Sequence, residues 1–141
     1  MSSTSLESIM KDNTDVVDKL EELVSACLNS QNIIWVHFNK YSPYFSKNES
    51  EVFDGMNSKL VKLFKDKNDL LDQISHIGST NPDILEQLKK QPNEHANDTV
   101  KRARDLGNRY LPLLLGIIAA TVELEDWYFG LLEKYIQSYI K

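Results

Sequence analysis

Turn-forming residues are scarce in this chain, with five glycines and four prolines among 141 residues. Gly and Pro are the strongest local punctuation a polypeptide carries. Few turns mean few elements, and those elements must be long. An all-β fold of this length needs a turn signal about every 8–12 residues, and none recurs, so the chain reads as helical.

The helix boundaries are marked. Thr4-Ser-Leu-Glu7 and Ser46-Lys-Asn-Glu49 both have capping-box spacing, a hydroxyl at the N-cap and a carboxylate three residues on. Between them runs a seven-residue repeat through Leu6, Asn13, Leu20, Cys27, Ile34 and Tyr41. Its companion column is Ile9 or Met10, Val16 or Val17, Leu23 or Val24; it weakens at Ser30 and Gln31 and recovers at His37 and Phe38. Pro43 ends the pattern, because the residue before a proline disfavours α geometry. The second apolar column is Phe53, Met56, Leu60, Leu63 or Phe64, Leu70 or Leu71, Ile74 and Ile77, with Gly78 placed as a C′ glycine. Asn81-Pro82 reads as an N-cap and first helical residue, opening a short helix that Pro92 closes. In the last third, Pro112 removes a main-chain donor and predicts a kink. Leu113 to Ala120 is apolar all round, and Leu124, Trp127 or Tyr128, Leu131, Tyr135 and Tyr139 follow on one side.

These signals predict a single all-α domain over residues 1–141. Its architecture is an elongated antiparallel bundle of three to five helices with coiled-coil-like packing and a kink near Pro112. The helices are expected at approximately 4–42, 47–77, 82–90, 94–110 and 112–140. A first helix of that length spans about 58 Å at ~1.5 Å per residue, against a diameter of roughly 40 Å for a compact domain of this size. Either it bends near Asn29 to Asn32, or the molecule is elongated and exposes apolar seam. Exposed seam points to a partner.

The chemistry classes narrow next. The formal charge is −5, which argues against a general nucleic-acid surface. Cys27 is the single cysteine, so no internal disulfide forms. The stretch from Met1 to Ile9 lacks the pattern of a secretory signal, and the apolar run Leu111 to Val122, interrupted by Pro112 and Gly116, is too short to span a bilayer. The expected location is therefore intracellular, cytoplasmic or nuclear, with no integral membrane segment. Asn48-Glu-Ser and Asn97-Asp-Thr then read as chance glycosylation matches. Asp69, Asp72 and His76 share a helical face but lack the paired Glu and Glu-x-x-His motifs of a di-iron bundle, and they read as a solvated face. Cys27 lies in an apolar seam, where a thiol is inert. Gly107 and Gly116 form no phosphate loop. No catalytic residue, cofactor or metal is expected, and the chain reads as non-enzymatic.

Two surface patterns remain. Lys89, Lys90, Lys101, Arg102, Arg104 and Arg109, opposed by Glu94, Asp98 and Asp105, give that stretch a net charge of +3, leaving −8 elsewhere. Lys101, Arg102, Arg104 and Arg109 are therefore a candidate patch for anions or an acidic partner, including an anionic membrane surface. The aromatics fall into two groups, Trp35, Phe38, Tyr41, Tyr44 and Phe45 near the end of the first helix, and Trp127, Tyr128, Phe129, Tyr135 and Tyr139 near the C-terminus. Packed together they make one aromatic layer. Trp127-Tyr128-Phe129 cannot all face one core on a helix, which points to an interface. The candidate interface residues are Leu20, Val24, Ile34, Trp35, Phe38, Tyr41, Trp127, Tyr128, Leu131, Tyr135 and Tyr139. The expected function is a helical scaffold or adaptor subunit of an intracellular multi-protein complex, paired with other helical subunits or with itself as a homo- or hetero-oligomer. The alternative is a peripheral anionic-membrane or acidic-ligand binder using the Lys101–Arg109 patch.

Overall fold

A computed structural model describes the backbone of residues 3–140 and the side chains of residues 15–139. Four α-helices account for most of it: α1 (Ser3–Tyr41), α2 (Lys47–Thr80), α3 (Ile84–Lys90) and α4 (Asp98–Ile140). Two single 3₁₀ turns, Ser42–Tyr44 and Asn93–His95, sit in the connections. There is no strand among the described residues, so the all-α expectation holds.

Helices α1, α2 and α4 run up, down and up. Gln31 of α1 meets Asn57 of α2, and Phe38 meets Phe53, so those two helices are antiparallel. Phe53 meets Trp127 and Glu49 meets Tyr135, so α2 and α4 are antiparallel too. Phe38 lies by Tyr128 and Phe45 by Tyr135, which leaves α1 and α4 parallel and side by side. Helix α4 packs against all three other helices. The long helices match one another: 39, 34 and 43 residues give lengths of about 58, 51 and 65 Å. Over its described side chains α1 has long partners within the chain, and it is continuous through Asn29 to Asn32.

Burial follows the seven-residue spacing. On α4 the buried positions Tyr110, Leu114, Ile117, Thr121, Leu124, Tyr128 and Leu131 recur at alternating steps of four and three. On α1 the seam runs through the buried or half-buried Val17, Leu20, Val24, Cys27, Gln31, Ile34 and Phe38, with Ser30 and His37 half-buried beside it. The weak point in the α1 seam is explained by Gln31, whose Nε2 donates to Asn57 Oδ1 at 2.6 Å. Two polar residues thus fill one layer of the core without an unpaired group. Thr121 does the same alone, its hydroxyl donating to the Ile117 carbonyl at 2.8 Å.

The boundaries show how local chemistry was read and misread. The Ser46 box forms in full: Glu49 N–H donates to Ser46 Oγ at 3.1 Å and Ser46 N–H to Glu49 Oε1 at 2.8 Å. The matching spacing at Thr4 and Glu7, with Leu6, Ile9, Met10 and Asn13 of the seam, lies outside the described side chains. Gly78 is not a C′ residue. Its φ is not positive, and α2 continues to Thr80, where the Thr80 and Ser79 hydroxyls donate to the His76 carbonyl. Pro82 supplies the stop, holding Asn81 out of helical geometry at φ −132°, ψ 79°. Helix α3 accordingly opens at Ile84, two residues later than expected. Asn97 caps α4, its Oδ1 accepting from Val100 N–H at 2.9 Å.

Where two helices, 94–110 and 112–140, are expected, α4 is one element that includes Pro112. The ring and Asn108, whose carbonyl loses its helical partner, are both exposed. Water can satisfy that carbonyl, so the cost of the proline is modest here.

At one end of the bundle the aromatic side chains join the three long helices. Phe38, 3% exposed, stacks on Phe53 at 3.9 Å and on Phe45 at 4.9 Å between centroids, and meets Tyr128 edge-on at 6.1 Å. Removing a buried phenyl ring costs about 3–5 kcal/mol. Phe38→Ala should destabilise the chain by that amount in urea unfolding, whereas Tyr44→Ala, on an exposed ring, should stay within about 0.5 kcal/mol of the parent.

Candidate functional site: an apolar groove between α1 and α4

A helix in a three-helix bundle has two neighbours, and α4 is apolar over a wider arc than they cover. One residue beyond each of those seven buried positions and beyond the half-buried Tyr135, about 100° further round the helix, stand Leu111, Leu115, Ile118, Val122, Glu125, Phe129, Leu132 and Ile136. Seven of these eight are apolar. Phe129 and Ile136 are each 58% exposed, and Leu115 and Val122 are exposed as well. The three consecutive aromatics part company as helical geometry requires: Tyr128 enters the core, Trp127 leans half-buried towards Phe38 and Phe53, and Phe129 faces out.

Parallel α1 lies along this stripe and adds its own. Val16, Leu23, Ala26 and Ile33 stand on its outer side, with Ile33 69% exposed. The two helices bound a groove with two connected hollows. One, of about 550 Å³, is lined by Ala26, Asn29, Ser30, Ile33, Ile34, His37, Tyr128, Phe129 and Leu132. The next, of about 520 Å³, is lined by His37, Tyr41, Tyr44, Phe45, Leu132, Tyr135, Ser138 and Tyr139. His37 and Leu132 belong to both, so the groove is continuous.

Its walls are held from behind. His37 Nδ1 is hydrogen-bonded to the Tyr128 hydroxyl, fixing the imidazole across the floor. Burial pushes the Tyr128 hydroxyl up to about 12, with the nearby Tyr41 phenol adding to the effect, so the bonded hydroxyl keeps its proton at neutral pH. Tyr135 is positioned by Glu49, whose Oε1 accepts from its hydroxyl at 2.7 Å. Burial pushes the Glu49 carboxyl up, but the Ser46 N–H, the Tyr135 and Ser46 hydroxyls and the Lys134 ammonium, 3.6 Å away, outweigh it and hold Glu49 below the ordinary carboxylate value. The Tyr135 hydroxyl is raised, first by this same hydrogen bond.

The expected interface residues divide. Val24, Ile34, Phe38, Tyr128 and Leu131 are buried in the chain's own core. They fill the fold, where the long helices cover one another's seams. Leu20, Trp127 and Tyr135 are half-buried. Trp35 is exposed, and Tyr41 and Tyr139 stand at the open end of the groove. Sequence reading missed Ile33, Leu115, Val122, Phe129 and Ile136 as one surface. The available signal was a second seven-residue column, displaced by one residue from the first.

Of the four basic candidates, Lys101 and Arg104 line one hollow, together with Asn93, Asp105 and Asn108. Arg104 is used internally: its Nη2 donates to the Leu88 and Gln91 carbonyls at 3.0 and 2.9 Å, and its Nη1 to Asn93 Oδ1. It pins the α3–α4 connection to α4. Arg109 pairs with Asp105 at 3.4 Å and lines a hollow with Asp66 and Asp69. Lys101 and Arg102 remain exposed. Among the described residues, no three His, Cys, Asp or Glu side chains come together as a metal site, and no helix is long and apolar enough to cross a membrane. Compared with protein-family models, curated proteins and solved structures, the chain matches none of them.

Two outcomes follow from these contacts. Because the folded carboxyl of Glu49 ionises below its unfolded value, its contribution is complete above pH 4.5 and is lost as pH falls through the lowered folded value. Glu49→Gln should therefore melt below the parent at neutral pH, and the gap should close on acidification below 4.5. Arg104→Met should raise amide exchange in residues 84–97 at least tenfold, the loss expected for hydrogen bonds from a charged donor, while exchange at the centre of α4 stays unchanged.

Proposed function

We propose that the chain is a non-enzymatic helical scaffold or adaptor that works by taking another helix into the groove between α1 and α4. The observation that carries this reading is the second apolar column of α4, Leu111 to Ile136, lying exposed beside the apolar outer side of α1. A soluble chain seldom displays a contiguous apolar strip of this length without an occupant. Alternating steps of three and four suit the side-chain spacing of a helix, and the mode is helix-in-groove recognition. The occupant completes a four-helix arrangement with coiled-coil-like interlocking, in which a kink at Pro112, where one main-chain hydrogen bond is missing, adjusts the lower part of the stripe. In this reading the chain is a subunit of a larger intracellular assembly. Catalysis has no part in it. Anion binding is the weaker reading, since Arg104 and Arg109 already have partners within the chain.

Photo-crosslinking tests it. A benzoylphenylalanine at position 33, 122 or 129, in cells that express the chain, should give adducts with protein. The same group at Lys59 or Lys62, on exposed α2 positions, should give few. Equal yields at both sets of positions would rule the groove out as the docking face.

A further inference from the structure

We infer that the groove is closed by the same face of a second copy, in an antiparallel twofold dimer that lays α4 on α4 and α1 on α1. The pairing rests on the docking reading above and names its occupant. The outermost positions of α4 recur every seven residues as Lys101, Asn108, Leu115, Val122, Phe129 and Ile136, all exposed. Charge is sorted along the same helix. Residues 98–109 carry four cations against two carboxylates, residues 110–122 carry neither, and residues 123–134 carry four carboxylates against one cation. Asp126 already shares a hollow with Lys134, and Glu125 and Glu133 remain for a partner. A copy running the same way would set cation on cation and carboxylate on carboxylate. A copy running the opposite way sets each end against its complement, and such contrasts select orientation. Neither hollow of the groove is lined by Lys, Arg, Asp or Glu, so identical faces meet without repulsion along the middle.

A twofold axis between Ile118 and Ala119 fits the spacing. It places Leu115 opposite Val122 of the second copy, Asn108 opposite Phe129, and Lys101 opposite Ile136. The second copy's Glu133 then comes level with the hollow of about 290 Å³ that holds Lys101, Arg104 and Asp105. Arg109 takes Asp105 and main-chain carbonyls take Arg104, which leaves the Lys101 ammonium for the incoming carboxylate. Helix α1 is sorted as well. Residues 15–22 hold four carboxylates and one cation, residues 23–39 hold no Lys, Arg, Asp or Glu, and Lys40 follows. Antiparallel copies again oppose unlike ends. Since α1 runs beside α4 at the offset of 91 residues that His37 and Tyr128 define, the twofold brings the second copy's Lys19 within one turn of the half-buried Glu125. The exposed apolar surface of the α4 column and the outer side of α1 amounts to roughly 800 Å², the share that one partner gives to a standard interface.

Sedimentation velocity of the full chain should show a particle of twice the 16.2 kDa chain mass. Lys101→Glu and Glu133→Lys, both at exposed positions, should each weaken the dimer by roughly tenfold, because the twofold repeats every repulsion. The two changes combined in one chain should restore the parent's association. In a Cys27→Ser background, a short bismaleimide should join two chains carrying Ala119→Cys and should not join two carrying Ile136→Cys. A double variant no better than the single ones, crosslinking through Ile136→Cys, or a dimer that withstands Phe129→Glu would overturn the twofold pairing. So would a chain that stays monomeric. If that monomer still gives protein adducts from positions 33 and 129 in cells, the groove takes a foreign helix and the docking reading stands. If its adducts from those positions are as few as from Lys59 and Lys62, both readings fall together.

Discussion

Helix α4 carries more apolar arc than two neighbours can cover, and much of the structure is arranged around that fact. Its first column, Tyr110 to Leu131, is buried between α1 and α2. Both pack against it more closely than against each other. The gap between α1 and α2 is bridged by large rings, Phe38 stacked on Phe53, and by the Gln31–Asn57 pair. Helix α3 adds a short cover at the start of α4, tied down by Arg104. With every neighbour in place, the second column of α4 still faces outward. Burying a side chain of the size of Leu, Ile, Val or Phe stabilises by about 1.5–3 kcal/mol. Leu115, Val122, Phe129 and Ile136 therefore represent a sizeable gain that the isolated fold leaves unused.

The helical class and most boundaries were legible from residues whose physics is local. The Ser46–Glu49 box needs only four residues, and it forms as read. The stop at Pro43 and the break around Pro82 are likewise set by the ring. Gly78 misled because glycine is compatible with a helix interior as well as with a C′ position, and the true stop three residues on, Asn81-Pro82, was read as the next start alone. Pro112 misled for a complementary reason. A proline's cost depends on whether the carbonyl four residues back can reach water, and the exposure of Asn108 is a tertiary property.

The site was half legible. Trp127-Tyr128-Phe129 required one ring to leave the core, and Phe129 does. Val24, Ile34, Phe38, Tyr128 and Leu131 read as interface in the sequence and are buried in the fold, because a regular seam reads the same whether its cover comes from its own chain or from another. Sequence gives the periodicity of a seam and is silent on who fills it. The more informative pattern was the surplus: a helix bearing two adjacent apolar columns needs neighbours on two sides, and the wide apolar run from Leu113 to Ala120 already hinted at it.

Buried polar groups then decide how well the groove is prepared for an occupant. Gln31 with Asn57 fixes α1 against α2 along the helix axes, because a slip of one turn would strand both amides in the core. Glu49 with Tyr135 fixes α2 against α4, and His37 with Tyr128 fixes α1 against α4. Each of the three helix pairs thus has one directional contact that a purely apolar seam lacks. Together they hold Ile33 and Phe129 on the same side of the bundle and keep the hollow between α1 and α4 open. A binding surface already locked in register loses little freedom when it is covered, and that saving appears directly as affinity. The polar contacts within the fold and the apolar strip outside it are therefore parts of one arrangement: the first set the geometry that makes the second usable.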